Sequence, residues 1–139
     1  MDQLMDAQTI RLTVPARPEF LGTIRLLASS VASGAEMDID DVDDLRIAAD
    51  ELCYLLMSSS AVSNELELEF TISPNHVVIE GRRTGWPVGE ALPNPSDLMV
   101  KILAQVVDHF DISAVGDTVI FKAAKDAGPL QPDSAALSG

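Results

Sequence analysis

The chain has 139 residues, 47% of them apolar and 4% aromatic, and a formal net charge of −13. That length fits one domain, and its core must be aliphatic. With no run of Lys or Arg, the excess of acid excludes direct DNA or RNA binding, which depends on basic clusters. An acidic surface suits basic protein partners, or simply keeps a protein soluble. No stretch of about 18 apolar residues is available to cross a membrane. Residues 1–8 are acidic and lack the apolar centre of a signal peptide. The single cysteine, Cys53, permits no intrachain disulfide, so a reduced cytoplasm is the expected location.

Ile10, Leu12 and Val14 alternate with Arg11 and Thr13, which predicts a half-buried strand stopped by Pro15. Pro18 and Glu19 open a helix whose apolar face is Phe20, Ile24, Leu27 and Val31, with Gly34 as its stop. A second helix starts at residues 38–41. Val42, Leu45, Ala49, Leu52 and Leu56 form its stripe, flanked by Ala48 and Leu55. Cys53 lies inside this pattern and reads as packing, not as a nucleophile or redox sensor. Asp38, Asp40, Asp41, Asp43 and Asp44 crowd the start of the helix. An N-cap and the helix dipole account for them. Without His or a calcium-loop glycine, no metal site is expected there. Arg46 and Asp50, four residues apart, can form an exposed ion pair.

After a polar turn at 58–64, Leu66, Leu68, Phe70 and Ile72 alternate with Glu65, Glu67, Glu69 and Thr71, a strand with one buried and one wet face. Pro74 and Asn75 turn the chain into a second strand at 76–80, making an antiparallel hairpin. Residues 81–95 hold three glycines and three prolines and read as a long loop of functional length. Ser96 can cap a third helix with Leu98, Met99, Ile102, Leu103 and Val106 on its face. Phe110, Ile112 and Ala114 predict a strand, Gly116 and Asp117 a turn, and residues 118–123 a closing strand. Paired strands between helices indicate an α+β sandwich: a mixed, largely antiparallel sheet with helices on one face. Residues 1–125 form this single domain, and 126–139, rich in Gly, Pro, Ser and Ala, are expected to be a disordered tail.

Three stretches carry a resemblance: LTVPARPEFLGTIR (12–25), VDDLRIAADELCYLL (42–56) and GDTVIFKAAK (116–125). They resemble the opening strand and helix, the second helix with its N box, and the final turn and strand of the RsbW/SpoIIAB anti-sigma-factor serine kinases. The resemblance implies a Bergerat (GHKL) fold and binding of a sigma factor away from RNA polymerase core. It also implies an anti-anti-sigma antagonist of the STAS type, and a homodimer. Many such proteins use ATP to phosphorylate that antagonist.

Set against the family motifs, the ATP site is degenerate. Glu51 matches the catalytic N-box glutamate, with a plainer reading as a solvated helix residue. The Mg²⁺-binding asparagine one turn on is Leu55, and an alkyl group cannot ligate a hard cation. In the motif that receives adenine, Gly85 matches the first glycine, Pro87 replaces the second, and Arg83 stands for the aspartate. Arg has donors only and cannot accept the adenine amino proton. The stretch matching the phosphate lid, Pro95-Ser96-Asp97-Leu98-Met99, has no glycine and adds a negative charge. Each lost partner costs about 1–3 kcal/mol, so ATP and Mg²⁺ are expected to bind weakly or not at all, with little kinase activity. An active kinase would need substitutes, for which Asp50 and Glu80 are the candidates. On the first helix, Arg25 matches the arginine that contacts sigma. A third reading, outside the family, is a ligand-sensing α+β domain whose contacts are Arg82, Arg83 and Trp86.

Overall fold

The computed structural model describes residues 7–58, 61 and 63–127. The strands are β1 (Gln8–Pro15), β2 (Glu65–Ser73), β3 (His76–Arg83), β4 (His109–Val115) and β5 (Thr118–Asp126). The helices are α1 (Leu21–Gly34), entered through a 3-10 turn at Pro18–Phe20, α2 (Ile39–Met57) and α3 (Asp97–Val106). One sheet runs β1-β2-β3-β5-β4, every neighbouring pair antiparallel. The fold is therefore the α+β sandwich the pattern predicts, with its sheet wholly antiparallel. No helix among the described residues is long and apolar enough to cross a membrane.

The core lies between the helices and one face of the sheet. Leu66, Leu68 and Phe70 of β2, Val77 and Ile79 of β3, and Val119, Phe121 and Ala123 of β5 are buried there. Ile24, Ala28 and Val31 of α1 and Leu45, Ala49, Leu52, Cys53 and Leu56 of α2 oppose them. Burial, and then the nearby Asp50 charge, push the Cys53 thiol well above its ordinary pKa. It is fully enclosed and is packing, as the apolar pattern suggests.

The N-terminus of α2 is capped by Asp38, whose side chain accepts from the Asp41 amide at 2.9 Å. The aspartate cluster also holds Lys125 of β5, whose Nζ lies 3.0 Å from Asp44 Oδ2 and 3.4 Å from Asp41 Oδ1. Desolvation alone would lower the Lys125 pKa, but the Asp44 hydrogen bond and the charges of Asp44 and Asp41 outweigh it and raise the pKa. β5 is thereby tied to the first two turns of α2.

Four sequence expectations need correction. Ile10 is 39% exposed, because β1 is an edge strand and only its Val14 end is buried. β3 continues to Arg83 instead of ending at 80, so the loop covers 84–96. Gly81 is thus not a loop residue: a Cβ there would stand 2.2 Å from the Phe121 ring, and only glycine lets β3 pass beneath it. β5 likewise extends through Asp126, paired with His76, so residue 126 belongs to the sheet and not to the expected tail. Residues 128–139 lie outside the described residues.

The fourth concerns the end of α1. Gly34 is the last helical residue, but the left-handed residue that reverses the chain is Glu36, with φ 64°. Met37 donates its amide to Ala32 O at 3.2 Å and Glu36 to Ser33 O at 3.1 Å, the two bonds of a Schellman motif. Buried Met37 and Ala32 make the usual apolar closure. A left-handed L-residue costs about 1–2 kcal/mol, of which glycine's larger unfolded-state entropy cancels about 0.5–1. Glu36→Gly is therefore expected to stabilise the protein by roughly 0.5–1 kcal/mol, read as a higher urea midpoint at unchanged slope.

Candidate functional site

The alternation of β3 decides what its last residues can do. Val77, Ile79, Gly81 and Arg83 face the helices, while His76, Val78, Glu80 and Arg82 face the other way. Arg83 is consequently only 5% exposed. Its Nη1 donates to Leu56 O at 2.8 Å, at the C-terminal end of α2. Its Nη2 and Nε donate to Ser63 O at 3.0 and 3.2 Å. The guanidinium clamps the α2–β2 connection and sits where a helix C-terminus favours a cation. Burial lowers its pKa, yet a guanidinium stays charged in proteins.

Gly85, with φ 81°, then turns the chain. Trp86 follows, 8% exposed, donating its amide to Asp117 O at 2.9 Å and its indole Nε1 to Ala91 O at 3.2 Å. It pins the loop to the β4–β5 turn and lines two cavities. One, of about 280 Å³, is lined by Pro87, Glu90, Leu92 and the Gly116–Asp117 turn among others. The other, of about 300 Å³, is lined by Leu55 of α2 and Ser58 just after it, together with Glu90, Ala91 and Leu92. Glu51, one turn earlier on α2, is half-buried and does not line it. The start of α3 is already capped by the Ser96 side chain, which accepts the Met99 amide at 3.1 Å.

A second cluster lies on the outer side of α1 and α2. Arg25 Nη1 meets Asp50 Oδ1 at 2.6 Å, with the side chains 45% and 29% exposed. Asp50 therefore pairs across the helices and not with Arg46, which turns back to Asp43 at 2.9 Å. Leu26, Ile47 and Tyr54 are exposed on the same two helices.

No family model matches the chain. Over 48 residues, 34% of this chain and 30% of the relative, it is 46% identical to the serine-protein kinase RsbW of Bacillus subtilis. Over 73 residues, 52% of this chain and 44% of the relative, it is 34% identical to the anti-sigma-F factor RsbW of Mycobacterium tuberculosis. The chain is similar to the RsbW proteins. It aligns with less than half the length of each of these RsbW relatives. Its fold agrees: a crystal structure of the RsbU and RsbW domains of a Mycobacterium tuberculosis protein superposes with a TM-score of 0.66. That match covers 86% of this chain and 32% of the other at 12% identity.

The positions matched to nucleotide motifs in the sequence do not together line either of the two cavities beside Trp86. Leu55 lines one of them, Gly85 lines neither, and Arg83 donates to two backbone carbonyls. The substitutes weighed for an active kinase point elsewhere. Glu80 is on the outer face of the sheet, 2.5 Å from Arg82, and Asp50 holds Arg25. The ligand-sensing trio does not converge either: Arg82 joins Glu80, Glu67 and Glu69 on the face opposite to Arg83. The Arg25–Asp50 link was not visible in the sequence, because neither residue's helical spacing reveals which helix it will meet. The clamp at Arg83 had one signal, the alternation of β3 carried three residues too short.

Proposed function

We propose that the chain is an anti-sigma factor. It holds an alternative sigma factor away from RNA polymerase core and is released by a STAS-type anti-anti-sigma antagonist. What carries this reading is the similarity to RsbW proteins in sequence and fold, together with Arg25 on the exposed face of α1. The proposed mechanism is partner exchange in the cytoplasm without phosphoryl transfer. Leu55 offers no oxygen to Mg²⁺, and Arg83 offers adenine no acceptor. Phosphoryl transfer without the metal lacks the charge that neutralises the transition state. Glu51 is then a helix residue without a catalytic task. A homodimer is part of the proposal, and sedimentation of the purified chain tests it.

Calorimetric titration tests the whole. ATP with Mg²⁺ is expected to give no heat of binding up to about millimolar concentration, a limit near 4 kcal/mol of binding energy. An alternative sigma factor from the source genome is expected to bind tightly without nucleotide. Micromolar ATP binding would overturn the nucleotide-free mechanism, and failure of every such sigma factor to bind would overturn the anti-sigma reading.

A further inference from the structure

We infer that Asp50 is a positioning residue for partner capture: it fixes Arg25 by one guanidinium nitrogen and presents the rest of the fork to a carboxylate of the bound sigma factor. The inference rests on the anti-sigma reading above.

An arginine on an exposed helix face samples many rotamers, and binding must freeze it, which weakens the complex. Here that freedom is restrained beforehand. Asp50 reaches across from α2 and takes Nη1 at 2.6 Å, using Oδ1. Among the described residues, Asp50 is the only ion-pair partner of Arg25. The guanidinium has five N–H donors in a planar fork, and the side chain is 45% exposed with one of its nitrogens on Asp50. The second terminal nitrogen, Nη2, lies near Gly22, where even an added Cβ would stand 3.9 Å away. With no side chain at that position, residue 22 does not block the bidentate approach that suits a carboxylate.

The surroundings favour the same occupant. Ile47 and Tyr54 precede and follow Asp50 by three and four residues, 38% and 52% exposed, and Leu26 beside Arg25 is 75% exposed. A cation between exposed apolar groups matches a partner segment carrying an acid among apolar residues. The acids at the start of α2 leave no unpaired cation there among the described residues, since Lys125 is held by Asp41 and Asp44 and Arg46 by Asp43, so Arg25 fixes where an acid can land.

The test uses the full chain as wild type, Asp50→Asn, Asp50→Glu, Arg25→Ala and the Asp50→Asn/Arg25→Ala pair. Thermal unfolding first verifies that all are folded. Nitrogen-15 relaxation of the Arg25 Nε–H group reads its order without any partner. It is expected to be rigid in wild type, mobile in Asp50→Asn and rigid again in Asp50→Glu. Titration with the purified alternative sigma factors of the source genome reads affinity. Asp50→Asn is expected to weaken binding roughly two- to tenfold, Asp50→Glu to restore it, and Asp50→Asn to add nothing on the Arg25→Ala background. An Arg25 that is equally ordered in Asp50→Asn would overturn the positioning role. So would unchanged or tighter binding by that variant, the latter meaning that Asp50 competes with the partner. If no sigma factor binds even the wild type, the anti-sigma reading falls and takes the sigma half of the inference with it. The relaxation result still decides whether Asp50 fixes Arg25.

Discussion

Arg83→Met should lower stability by about 2–4 kcal/mol, estimated from unpaired buried acceptors at about 1–3 kcal/mol each. The replacement has a comparable apolar stem but no donors. Leu56 O and Ser63 O lose the guanidinium that serves both, and the C-terminus of α2 loses its cation. Water reaching the vacated place keeps the cost below the full sum. Urea unfolding measures it as a lower midpoint at unchanged slope. Arg83→Lys should fall between the two, since an ammonium keeps the charge but not the fork that spans two carbonyls. A near-neutral Arg83→Met would mean that the clamp is not formed in solution.

Gly81→Ala should cost about 1–3 kcal/mol, the usual penalty for overpacking a tight core. The new Cβ would stand 2.2 Å from Phe121 Cε2, and Phe121 is fully buried on the neighbouring central strand. The ring cannot swing outward without leaving the core. The decisive measurement is a double-mutant cycle with Phe121→Leu. The smaller side chain relieves the collision, so the pair should be more stable than the sum of the single losses predicts, by about 0.5 kcal/mol or more. Strict additivity would show that the collision is not what glycine avoids.

The order of elements was legible because it rests on periodicity. Leu66, Leu68 and Phe70 announce a strand, and Leu45, Ala49, Leu52 and Leu56 a helix, through spacing alone. What was not legible depends on partners distant in the chain. Gly81 reads as a breaker until Phe121 is placed over it. Arg82 and Arg83 look like one basic pair, but adjacent strand residues point to opposite faces, and the sheet separates them completely. Ile10 continues an inward pattern that nothing covers at the sheet edge. At the candidate site, the loss of the acceptor at 83 and of the oxygen at 55 could be read from residue type. That Arg83 had gained a structural task, and that Asp50 would meet Arg25, could not.

The strand order carries one more implication. β5 is the last strand among the described residues, yet it sits between β3 and β4 and carries the lysine that holds the start of α2. Everything before it is an unfinished object, a three-stranded sheet with an open edge and a β4 that has nothing to pair with. Shortening the chain from that end would therefore not trim the protein by degrees. Loss of residues 118–126 would unmake the fold at its centre, and with it the two-helix surface that carries Arg25.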